Sequence, residues 1–111
     1  MITEIQEQPI GRFPGYETLT DVLERALQQA AAGKGNDRHA QGQPFHEQPM
    51  LRISELLDSD GGMAFQAIKK IQEARRLPTR ERRVAELLGA INYIAGMVIL
   101  EESQIPAGVA E

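Results

Sequence analysis

The chain has no cysteine and no tryptophan, and only 5% of its 111 residues are aromatic. Without thiols there is neither a disulfide framework nor a thiolate metal centre, and the redox state of the compartment leaves no mark on the sequence. With so few rings, the core has to be filled by aliphatic and small side chains. Long apolar runs are scarce as well. The most apolar stretch, Leu87 to Leu100, is 14 residues and contains Asn92, against about 20 residues needed to cross a bilayer, so no membrane span is expected. The opening MITEIQEQPIGRF has neither the basic nor the apolar block of a targeting peptide, and a cytoplasmic location is the expectation.

What is present fits one soluble domain: 41% hydrophobic and 25% charged residues in a chain long enough for a single core. The net charge of −4 is unevenly spread. Between Gln66 and Val84, Lys69, Lys70, Arg75, Arg76, Arg80, Arg82 and Arg83 face only Glu73 and Glu81, so this segment carries +5 and the remainder −9. An acidic body with one basic corner disfavours nucleic acid as a partner and favours a compact anion.

Apolar residues at three- and four-residue spacing predict an all-α fold of about four helices. The first starts near Thr18, a capping residue, buries Leu19, Val22, Leu23, Ala26, Leu27 and Ala30, and stops at Gly33. Pro49 suits the first position of a second, with Met50, Ile53, Leu56 and Leu57 inward, and Asp58 to Gly62 forms a turn rather than a calcium loop. The third, roughly Met63 to Arg76, is expected to bury Ala64, Ala67, Ile68, Ile71 and Ala74. Leu77-Pro78 breaks it, and Thr79 can cap a fourth helix running to Glu102 whose inward stripe reads Val84, Leu87, Leu88, Ile91, Ile94, Ala95, Val98. So short a connection predicts an antiparallel helical hairpin. Residues 1–15 are expected to be an extended arm, 16–102 the helical domain and 103–111 a flexible tail.

Past Gly89 the fourth helix is apolar nearly all round, which predicts a second burying surface in another subunit. Gly89 and Gly96 would admit a neighbouring helix, Asn92 would fix register, and Met97 and Leu100 would complete a homo-oligomer interface.

Two segments can hold a phosphate-bearing ligand. Gly33 to Pro49 sets Lys34, Arg38, His39 and His46 among glycines, mixing cationic donors with open backbone N–H groups. A solvated connection anchored by Phe45 is the competing reading. The hairpin tip collects the arginines, again in competition with a plain solvated face. His39 and His46, seven apart with only Asp37 and Glu47 near, lack the company of a metal site.

The segment FQAIKKIQEARRLPTRERRVAELLGAINYIAGMVI, residues 65–99, resembles the helical hairpin of phage anti-CBASS proteins, sponges for cyclic oligonucleotide signals. The likeness lies in a Lys/Arg-rich first helix, a Pro-containing turn followed by Arg80-Glu81-Arg82, and an Ala/Ile-rich second helix with Tyr93 near its middle. The whole chain resembles uncharacterised small proteins of tailed phages. These resemblances imply a helical oligomer in the bacterial host cytosol, with Tyr93 as a base-stacking platform and Lys69, Lys70, Arg76, Arg80 and Arg83 as phosphate partners. Packing is the competing explanation for Tyr93. ELLG, Glu86 to Gly89, resembles the second motif of all-α nucleotide pyrophosphohydrolases with a metal ligand lost. Glu73 is likewise followed three residues on by Arg76 rather than by a carboxylate. Those enzymes need four facing carboxylates to hold magnesium against a triphosphate.

The expected function is therefore non-enzymatic: a phage-type, homo-oligomeric protein that sequesters a phosphate-bearing small molecule of the nucleotide class, with no cofactor. The alternatives are a phage inhibitor that binds a host protein and a degenerate pyrophosphohydrolase relative.

Overall fold

The computed structural model describes residues 13–32 and 42–104, and these are all-α. Four α-helices follow one another: α1 (Glu17–Ala32), α2 (Pro49–Leu57), α3 (Gly61–Ala74) and α4 (Arg80–Ser103), with a 3-10 turn at Phe45–Glu47 ahead of α2. Most of the expected arm (1–12), most of the tail (105–111) and the cap position Gly33 lie outside the described residues.

Local signals set the helix ends. Thr79 caps α4 as expected, its Oγ1 accepting from the Arg82 N–H at 3.2 Å. Pro49 opens α2, where its missing N–H has no helical partner to lose. Asp58 closes α2 in the left-handed region at φ 53°. Helix α1 begins at Glu17 rather than after Thr18, and α3 occupies Gly61–Ala74, two residues earlier than the periodicity suggested. Replacing Thr79 by alanine should cost about 1 kcal/mol of stability through the lost cap, read as a lower midpoint in urea denaturation.

Helices α3 and α4 lie along each other in opposite directions, since Met63 sits against Gly96 while Lys70 sits against Gly89 and Glu86. Helix α1 crosses the other side of α4, where Asn92 Nδ2 donates to the Ala26 carbonyl at 3.0 Å and Gln29 Nε2 to the Ala85 carbonyl at 3.0 Å. Helix α2 closes one end: Leu51, Met63 and Leu100 form the core, with Phe45, Met50, Tyr93, Met97 and Ile99 packed around them.

The buried residues match the expected stripes only in part. In α4 the buried residues are Leu88, Gly89, Ala90, Gly96 and Leu100, while Leu87, Ile94 and Val98 are exposed. In α2, Leu51 and Ser54 point inward, and Ile53, Leu56 and Leu57 point out. Of the stripe expected in α1 only Ala26 is buried, and α3 buries Met63, Ala67 and Ala74 while showing Phe65, Ile68 and Ile71. The cause is packing distance. Where glycine and alanine of α3 and α4 meet, helix axes approach closely and dispersion contacts extend along the backbone, so small residues hold much of the inner faces of these two helices and bulky ones such as Ile68 and Ile94 are left outside.

Gly89, Asn92, Gly96, Met97 and Leu100, expected at a subunit interface, make contacts within the chain. Gly89 receives the Lys70 methylenes, Gly96 receives Met63 and Met50, Asn92 bonds to α1, and Met97 and Leu100 pack on the core of the same chain.

Candidate anion site at the turn between α3 and α4

Five arginines follow one another around this turn because both flanking helices end in it. The chain leaves α3 at Ala74, tightens through hydrogen bonds from the Arg76 N–H to the Glu73 carbonyl and from Leu77 N–H to the Ala74 carbonyl, and is blocked from further helix by Pro78. Arg83, one turn into α4, reaches back and donates from Nη1 to the Leu77 carbonyl at 2.9 Å. This clasp uses one of the five guanidinium N–H donors of Arg83 and ties the first turn of α4 to the preceding turn.

Arg75, Arg76, Arg80 and Arg82 are exposed, and among the described residues none of them forms an ion pair. Arg75 and Arg76 follow the end of α3, and Arg80 and Arg82 stand with Glu81 in the first turn of α4, whose free N–H groups and dipole add partial positive charge. Guanidinium groups bind phosphate oxygens through paired N–H donors, which gives this cluster its affinity for compact anions.

The other expected ligand residues do not join it. Lys69 pairs with Glu73 at 3.7 Å, and Lys70 pairs with Glu86 at 3.4 Å across the helix contact. Both lysines are thereby tied to the two carboxylates whose motifs resembled a magnesium site. Tyr93 lies thirteen residues beyond Arg80, about 20 Å along the helix, packed against the core. Burial raises its phenol pKa above the usual value, so the ring is neutral at pH 7. Lys34, Arg38 and His39 lie outside the described residues. His46 is exposed at 3.6 Å from Glu47, and among the described residues no three His, Asp or Glu side chains gather as a metal would require.

A second concavity escaped the sequence. Helix α1, the 42–48 segment and α4 enclose a groove of about 740 Å³ lined by Leu23, Leu27, Phe45, Ile91, Ala95 and Ile99 among others. Of its walls, Leu23, Leu27, Ile91 and Ala95 are residues that periodicity placed in the core. Only their excess over what four short helices can bury hinted at it. Comparison of the chain with protein-family models, with curated proteins and with solved structures finds no match.

Proposed function

We propose that the chain is a non-enzymatic binding protein of phage type that holds a phosphate-bearing small molecule, of the nucleotide class, at the turn between α3 and α4. The observation that carries this reading is the group of Arg75, Arg76, Arg80 and Arg82, exposed and without carboxylate partners among the described residues, on a chain of net charge −4. Like charges held side by side repel, and a bound polyanion relieves that repulsion. The acidic remainder works against a long nucleic acid and leaves a small anion unaffected.

Titration calorimetry with cyclic di- and trinucleotides, linear nucleoside triphosphates and inorganic phosphate tests the proposal. Binding of at least one nucleotide is expected, weakening as salt is raised. The double substitution Arg76→Glu, Arg82→Glu should reduce its affinity by at least about tenfold, the loss of one or more charge-assisted hydrogen bonds. Absence of heat with every compound would overturn the reading.

The second reading, binding of a host protein, draws on the apolar groove between α1 and α4. An amphipathic helix laid into it would bury Leu23, Leu27 and Phe45. Recovery of a stoichiometric protein partner from host lysate, lost in Leu27→Glu and retained in the arginine variant, would favour this reading over the first.

A further inference from the structure

Along α4, Val84, Leu87, Ile91, Ile94 and Val98 succeed one another at alternating spacings of three and four residues. This is the 3.5-residue period of a coiled-coil seam. The chain leaves the seam open. Leu87, Ile94 and Val98 are 43%, 47% and 50% exposed, and Val84 and Ile91 are half-buried. One more step of the same spacing in each direction reaches Arg80 and Glu101. The seam therefore has a cation at its amino end and a carboxylate at its carboxyl end. Each of these charges opposes the helix dipole, which favours anions at the start and cations at the end. Among the described residues neither has an ion-pair partner.

We propose that a second copy of this chain docks on the seam with its α4 antiparallel to the first. In that orientation, centred near Ile91, Leu87 meets the partner's Ile94, Val84 meets the partner's Val98, and Arg80 meets the partner's Glu101. The charged pair occurs twice by symmetry, and the two helix dipoles also run in opposite directions. A parallel arrangement sets Arg80 against Arg80 and Glu101 against Glu101, so charge selects the antiparallel one. The interface is self-complementary and closes at two copies.

A helix about 36 Å long and 10 Å wide offers a footprint of roughly 360 Å², against about 800 Å² per partner in a stable complex. The flank on the α1 side adds to it, where Leu23 and Leu27 share a groove with the seam residue Ile91.

A lipid surface is the other apolar occupant to weigh. An 18-residue window of α4 has mean hydropathy 1.6 and is only 28% buried, enough by length and composition to cross a membrane. The docked polar contacts of α4, Asn92 to Ala26 and Glu86 to Lys70, and the opposed charges ending the seam favour a protein helix. The dimer shares Arg80 with the anion reading, whereas Arg76 and Arg82 lie off the seam and Ile94 lies off the anion site, so Arg76→Glu, Arg82→Glu and Ile94→Glu test the two separately.

Sedimentation equilibrium on the full chain at ~1–100 μM tests the proposal and should return twice the chain mass of 12.3 kDa. Ile94→Glu, at a half-exposed position, should give a monomer with unchanged far-UV circular dichroism. Arg80→Glu and Glu101→Arg should each weaken the dimer by about tenfold or more, and the double variant should restore it, since both pairs are then present in reverse. Either single reversal improves the match of α4 to its dipole, so loss of association cannot be put down to a weakened helix. A monomeric wild type, a double variant as weak as the singles, or flotation of the monomer with anionic liposomes would overturn the proposal.

Discussion

Leu51→Ala should destabilise the protein by about 2–5 kcal/mol, the range for truncating a buried leucine whose surroundings relax only in part. Leu51 is 1% exposed, in contact with Met63 and Leu100 at the end where α2, α3 and α4 meet. Small domains have about 5–15 kcal/mol in total, so this one change removes a large share. Leu56→Ala, on the same helix at 84% exposure, should stay within about 0.5 kcal/mol of the wild type. Urea denaturation followed by far-UV circular dichroism measures both. A larger loss at Leu56 than at Leu51 would mean that α2 packs with its other face inward, as its periodicity suggested.

That contrast marks where the sequence is informative and where it is not. Helix ends depend on groups within a few residues of one another, so Thr79 and Pro49 could be assigned from the chain alone and the all-α class with them. Inner faces depend on which helices meet. When each helix carries bulky apolar residues over a wide arc, period alone picks the bulkiest stripe, and the fold instead chose the one richer in Ala and Gly. Helix α4 shows this clearly: Leu87, Ile94 and Val98, expected inside, are exposed, and the helix that Gly89 and Gly96 were expected to admit is one of the same chain.

The basic turn was legible for a related reason, since its arginines lie within nine residues, 75–83, and stay together in any fold that breaks at Pro78. Which cations remain available was not legible. Lys70 meets Glu86 only through the register of α3 on α4, and Arg83 is tied to Leu77 only because the turn is tight. The distance of Tyr93 from the arginines follows from helix geometry, but its place against Leu51 and Met63 depends on α2.

Substitution of the two glycines in α4 should give opposite signs, and the physical chemistry decides which is which. Either Gly→Ala change gains about 1 kcal/mol of helix propensity. At Gly89 the nearest atoms to a new β-carbon are the Lys70 side-chain Cδ, Cε and Nζ at 3.1 to 3.3 Å. That chain end is partly exposed and can swing aside, so Gly89→Ala should match or exceed the wild type. At Gly96 the β-carbon would come within 2.8 Å of Met63 Sδ and 3.2 Å of Met50 Cε. Met63 is 2% exposed and has nowhere to move without displacing Leu51 or Leu100. Overpacking costs about 1–3 kcal/mol, which exceeds the propensity gain, so Gly96→Ala should be destabilised by up to about 2 kcal/mol and Gly96→Leu by more. Thermal unfolding at fixed protein concentration, with the mass measured alongside, checks this. A Gly96→Ala protein that melts at or above the wild type but fails to associate would return that glycine to a contact between subunits, and the seam through Leu87, Ile94 and Val98 would then have to give way to it.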